Sequence, residues 1–188
     1  KPAPSTSFSS SSITAIYGDS ITNAFTTDSN GTKTFASSNT SSATINSSNG
    51  SVSIVAVGNT TMSVNLAETN EYTSANDNYI LTTNPKILTA TASASNKVYD
   101  GTTTATTTLT FSGLIGSETL GQTVGSTFSD KNVDTGKTVT VNSITLADGT
   151  NGGLASNYTI SSGQTTTADI TAKAVSYTHL TLPTTLPV

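Results

Sequence analysis

Acyl transfer would need a Ser or Cys nucleophile beside a base able to take its proton. This chain holds no Cys and a single His, His179. No Gly-x-Ser-x-Gly elbow, phosphate loop or dinucleotide glycine fingerprint occurs in it. What remains is carboxylate chemistry. Two acids could flank a glycosidic bond, yet the acids here sit mostly beside Gly or Asn, where turn formation accounts for them. The loop Asp148-Gly149-Thr150-Asn151-Gly152-Gly153 offers oxygen ligands, and Asp130 with Asp134 could add carboxylates for a hard cation such as calcium. Their spacing departs from an EF-hand, and an Asp-Gly turn is the simpler reading. A Lys–Asn isopeptide cross-link would need Lys97 or Lys131 buried beside Asn157 with an acid nearby. We therefore assign no catalytic, cofactor-binding or metal residue, and expect neither a cofactor nor an enzyme.

The elements that must position these residues follow a grammar spoken twice. Tyr17-Gly18-Asp19 opens one stretch of alternating strands and Tyr99-Asp100-Gly101 opens a second. The stretches close on Asn78-Tyr79-Ile80-Leu81 and Asn157-Tyr158-Thr159-Ile160, at nearly the same interval. Repetition of one supersecondary unit is a structural signature. The Tyr-Asp-Gly turn itself has a structural reading: Tyr at the core edge, Asp accepting backbone N–H bonds, Gly at positive φ.

Composition agrees with a β protein. At 188 residues there is room for one or two domains. Charged residues are only 10%, replaced by Ser, Thr and Asn, while net charge is −4 and the apolar residues alternate. That pattern argues against disorder, which goes with high net charge and no periodicity. Thr-rich alternation suits a pleated strand, where the branched Cβ packs well. The acidic balance disfavours nucleic acid, and no long apolar run predicts membrane insertion.

Residues 1–12, rich in Pro and Ser, read as linker. Strands are expected at Ile13–Tyr17, Ala43–Asn46, Ser51–Val57 and Tyr79–Thr82, with Met62, Val64 and Leu66 facing inward. Asn30-Gly31 and Asn49-Gly50 are hairpin signals. In the second stretch Thr138–Val141 and Ile144–Leu146 alternate, with a bulge expected at Asn142-Ser143. Tyr99, Phe111, Leu114, Phe128 and Tyr158 are its candidate core. Short strands with turn punctuation indicate two tandem immunoglobulin-like β-sandwich modules, at 13–86 and 87–173.

Two family likenesses carry the reading further. Ser37-Ser38-Asn39-Thr40 before Ala43-Thr44-Ile45, then Gly50 before Val52-Ser53-Ile54-Val55-Ala56-Val57-Gly58, resembles bacterial immunoglobulin-like surface domains. Lys97-Val98-Tyr99-Asp100-Gly101-Thr102-Thr103 resembles the motif that names the YDG repeat of large bacterial surface and filamentous-haemagglutinin-like proteins. That likeness continues through Phe111–Gly116, Phe128–Val139, Leu154–Ile160 and Ala168–Thr171, although the loop Thr150–Gly153 is long for the pattern. The resemblance implies extracellular arrays without enzymatic activity. It predicts a stalk segment of a large bacterial cell-surface or secreted adhesin-like protein. Its partners would be neighbouring repeats of the same parent chain and a host or matrix glycan or protein. A carbohydrate- or matrix-binding module is the alternative; such sites usually present exposed aromatics, and the chain has no Trp.

Residues 174–188 break the pattern. Val175-Ser176-Tyr177-Thr178-His179-Leu180-Thr181-Leu182-Pro183-Thr184 is similar, residue for residue, to one reading frame of a transposase-type sequencing adapter. Genuine sequence is therefore expected to end near Ala174, leaving His179 outside the biological chain; a different codon series in the gene would overturn this.

Overall fold

The computed structural model describes residues 1–176, so most of the adapter-like tail, with His179, lies outside the described residues. The protein is nearly all β among the described residues, with 53% in strands. Among the described residues the one helical element is a single 3-10 turn at Ala155–Asn157. The first strands are β1 Thr6–Phe8, β2 Ser12–Ile16, β3 Phe25–Thr27, β4 Lys33–Ser37, β5 Ala43–Ile45, β6 Val52–Ile54, β7 Gly58–Leu66, β8 Ala75–Asn84 and β9 Lys86–Ile87. They are followed by β10 Thr89–Ala94, β11 Lys97–Val98, β12 Thr104–Ala105, β13 Thr107–Ser112, β14 Leu120–Phe128, β15 Asp134–Asp148, β16 Tyr158–Thr159 and β17 Thr165–Thr171.

Compactness divides the chain differently from the two sequence modules. One unit comprises residues 1–90, 111–123 and 145–161; the other takes 91–110, 124–144 and the described residues from 162 onward.

The first unit is organised by a four-stranded sheet in the order β2-β8-β7-β4. Alternation in β7 buries Thr60, Met62, Val64 and Leu66, and in β8 it buries Tyr79, Leu81 and Thr83. β7 and β8 pair antiparallel from Gly58↔Thr83 to Leu66↔Ala75, which lays the two buried rows side by side. β4 joins β7 antiparallel, whereas β2 runs parallel to β8 from Ser12↔Ile80 to Ile16↔Asn84. Two short antiparallel ladders, β1–β3 and β5–β6, complete the layer arrangement. Phe8, Phe25, Ala43, Ile45 and Val52 from those ladders share one core with Ala15, Phe35, Met62, Val64, Tyr79 and Leu81 of the sheet.

Two expectations are corrected here. Residues 1–12 are not a free linker: they contain β1 and the start of β2. Phe8 is buried, with its ring 4.8 Å from Tyr79 and 5.1 Å from Phe25. One anchored aromatic outweighs a Pro- and Ser-rich surround, because burying a Phe stabilises by about 2 kcal/mol or more. Nor does Asn30-Gly31 make a hairpin. The flanking strands have different partners, β3 pairing β1 and β4 pairing β7. Gly31 is required for another reason: a Cβ there would stand 2.2 Å from the Ala67 carbonyl oxygen. Asn49-Gly50 does sit in the β5–β6 turn, with Gly50 at φ 73°.

The second unit contains the pairings of β11, β17 and β12 with the adjoining parts of β15 and β14, in a sheet ordered β11-β17-β15-β14-β12. β11 runs parallel to β17, with Lys97 opposite Ile170, and β15 runs antiparallel to β17. Its core is small: Ala105, Phe128, Val139, Ala168 and Ile170 with Ala94 against them. β15 runs unbroken through Asn142-Ser143, and its register shift against β17 falls between Asp134 and Lys137. Of the five predicted core residues, Phe128 and Tyr158 are buried, and Phe111 and Leu114 are partly so. Tyr99 remains 36% exposed. The reason is local: β11 is a two-residue edge strand that ends before Tyr99, and the Lys97 ammonium already lies over the Phe128 ring at 5.6 Å.

Candidate functional site

The first Tyr-Gly-Asp motif ends β2 in a tight turn. Asp19 donates its N–H to the Ile16 carbonyl and accepts the Ile16 N–H on Oδ2, both at 2.9 Å, while Gly18 takes φ 93°. The turn delivers Tyr17 into a second cluster of the first unit, with Leu88 and Tyr158 as its buried members. Tyr158 arrives from the 3-10 turn and β16, whose parallel pairing sets Tyr158 opposite Lys86. The two rings meet edge to face, with centroids 5.4 Å apart.

Both hydroxyls donate to one carboxylate. Tyr17 donates to Glu118 Oε1 at 2.6 Å, and Tyr158 donates to Oε2. The Ile115 N–H closes the network by donating to the Tyr158 oxygen at 3.0 Å. Burial, then the Glu118 hydrogen bond and charge, pushes Tyr17 up to about 12; burial and Glu118 do the same for Tyr158. Near neutral pH both phenols stay protonated and serve as donors, so the arrangement fastens segments together without supplying a nucleophile. Next to it Asn157 is fully buried and accepts the Val57 N–H at 2.9 Å. Glu118 escaped the sequence reading because nothing local marks it. Only the pairing of two distant Tyr motifs on one carboxylate does.

In the second unit the Tyr-Asp-Gly turn behaves as its residue types predict. Asp100 accepts the Thr102 N–H at 2.9 Å and Gly101 adopts φ 79°. Lys97 adds what the motif alone did not disclose. Its ammonium donates to Asp100 Oδ1 at 2.9 Å, the Thr102 carbonyl at 2.8 Å, Thr102 Oγ1 at 3.1 Å and the Thr104 carbonyl at 3.0 Å. Lys97, foremost, and the Thr102 hydrogen bonds pull the Asp100 carboxyl down to about 2. A single cation thus binds the turn to the edge of the sheet.

The residues considered for cross-linking and metal binding are placed elsewhere. Lys97 is committed to this oxygen cage, and Asn157 accepts the Val57 N–H. Lys131 is exposed. Asp130 binds the buried Lys137 at 2.6 Å and caps the Asn132 N–H, while Asp134 accepts the Thr135 N–H. Asp148 accepts the Ala155 N–H at 2.7 Å, closing its own loop. The long Thr150–Gly153 loop is zipped onto Thr119, which hydrogen-bonds Thr150 through both main chain and side chain. Among the described residues no group of three His, Cys, Asp or Glu could hold a metal ion.

A match to the YDG domain family is found at residues 84–168. No curated protein matches the chain.

Proposed function

We propose that this chain is a tension-bearing spacer from a large bacterial cell-surface or secreted adhesin-like protein, built of immunoglobulin-like and YDG repeats and without enzymatic activity. Its mechanism is to hold a distal function away from the envelope, with neighbouring repeats of the parent chain as its immediate partners. The YDG domain at 84–168 supports the surface-repeat reading.

One observation carries the mechanical part. The main chain leading out of the first sequence module is hydrogen-bonded along nearly its whole course through the first unit. β2 pairs parallel with residues 80–84, and the Tyr17 N–H donates to the Asn84 carbonyl. Lys86 and Ile87 then pair parallel with Tyr158 and Thr159, and the Leu88 N–H donates to the Thr159 carbonyl. The segment where the two sequence modules meet is therefore strand. Parallel pairing also has a consequence under tension. Pulling the start of β2 against the end of β8 slides the strands lengthwise, so the ladder's evenly spaced bonds share the force. Pulling from the same end of both would break them one at a time.

The chain has no native Cys, so engineered handles are unique. Single-molecule pulling through cysteines at Ser12 and Asn84 is expected to need clearly higher force than pulling through Ser12 and Ile80. Equal forces in the two geometries would sink the mechanical reading.

A further inference from the structure

We propose that the cleft bounded by β3, β4 and the β5–β6 turn is a binding site for an acidic saccharide, with Lys33 receiving the carboxylate and Phe25 the apolar face of the sugar ring. The cleft encloses about 490 Å³, a size suited to a small ligand or one or two sugar units. Its apolar part is aromatic: Phe35 is buried at the base, and Phe25, only partly buried, stands edge to face with it at 6.3 Å. Gly50 keeps that base reachable, since a Cβ there would come within 3.1 Å of two Phe35 ring carbons.

Around the aromatics the chemistry is that of a polyol with one negative charge. Lys33 lies 5.9 Å from the Phe25 ring centroid and forms no ion pair among the described residues. The cleft lining contains no Asp or Glu, although the chain as a whole is acidic. A lone cation in an acid-free wall favours an anion, and the neighbouring ring favours one with an apolar face. Asn49 uses its Oδ1 on the Ser51 N–H, which orients the side chain and, among the described residues, leaves its exposed amide nitrogen free to donate. The hydroxyls of Ser48 and Ser51 are likewise uncommitted among the described residues and can serve as donor or acceptor to sugar hydroxyls. The opposite wall is held in place. Asn23 accepts from the Ser9 hydroxyl and the Ser10 N–H and donates to the Ser10 carbonyl. A wall already ordered loses little freedom when a ligand arrives.

This binding reading stands apart from the mechanical one, and either can fail alone. The test is a titration of the whole chain, by calorimetry and amide NMR, with three probes. They are a galacturonic acid tetrasaccharide, its carboxyl-reduced neutral counterpart and a tetraglutamate peptide. The expected result is saturable binding of the acidic saccharide, with amide shifts centred on residues 21–25, 33–35 and 48–51. Carboxyl reduction, or Lys33→Gln, should weaken it by about tenfold, the scale of one charge-assisted contact. Lys33 is exposed, so the substitution leaves the fold intact, as circular dichroism would verify. Phe25→Leu keeps apolar volume but removes the ring and should weaken both saccharides equally. Absence of saturable binding, equal affinity for the neutral counterpart, tighter binding of the peptide, or indifference to Lys33→Gln would each overturn the proposal.

Discussion

Two side-chain networks, one in each compact unit, turn the Tyr motifs into fasteners, and both leave a mark on pH dependence. Asp100 ionises in the folded chain at about 2 instead of 3.8, chiefly through Lys97. A depressed carboxyl stabilises fully above its unfolded value, so this contribution is present above pH 4 and disappears as pH falls toward 2. Lys97→Met removes the cation from four oxygen acceptors and is expected to cost about 1–3 kcal/mol, read as a drop in urea midpoint. It should also flatten the acid limb of the stability curve between pH 4 and 2. The tyrosines act at the other end. Their folded values of about 12 lie above the ordinary 10, so the neutral form is favoured by folding. Their contribution is complete below pH 10 and is lost as pH rises from 10 through 12. Glu118→Gln takes away the carboxylate charge that opposes ionisation. It should move the ionisation of Tyr17 and Tyr158 to lower pH and flatten the alkaline limb of the stability curve between pH 10 and 12, which a fluorescence-monitored pH titration would detect; an unmoved ionisation would leave burial as the sole cause.

At the level of elements, the stability of the first unit rests on facing rows of β7 and β8. Leu81 is fully buried within the shared core, so Leu81→Ala should destabilise by about 2–5 kcal/mol, measured by chemical denaturation. Loop geometry makes a second, sharper demand. Cβ atoms added at Gly149 or Gly153 would stand 2.0 Å from the Thr119 carbonyl oxygen. Gly153→Ala is therefore expected to push the 150–153 loop off Thr119 at a cost of about 1–3 kcal/mol, with faster amide exchange at Thr119 and Thr150. The extra length of that loop, a departure from the repeat pattern in the sequence, has its explanation here. Asn151 at φ 56° and Gly152 at φ 86° turn the chain so that Thr150 can meet Thr119. Alternation of residue types is enough to mark the long strands β7, β8 and the middle of β15, because one-sided burial imposes a period of two. It could not reveal β1, β3 or β9. Strands of two or three residues carry too few positions to show a period, and they exist only because a partner strand is waiting.

For the molecule as a whole, the packing of the first unit draws on residues far apart in the chain. Tyr17 and Leu88 meet Phe111, Leu114, Leu120, Leu146 and Tyr158 in one cluster. A fragment ending at residue 90 would strip those later partners away. It should melt at lower temperature than the full chain and bind a hydrophobic dye more strongly. Equal melting would mean the later segments add nothing to this cluster. What the amino-acid order determined by itself was the β character, the turn chemistry of Tyr-Asp-Gly, the inward row of Met62, Val64 and Leu66, and the YDG likeness. Each of these depends on neighbours within a few residues, where side-chain branching, glycine dihedrals and strand periodicity act directly. Tertiary structure alone decided that Phe8 belongs to a core, that Glu118 joins Tyr17 to Tyr158, and that residues 86–87 run as strand beside 158–159. It also decided that Lys33, Phe25 and Asn49 share one cleft. Those facts arise from contacts between residues tens of positions apart, and chain order carries no local trace of which distant groups will meet once the apolar rows are buried.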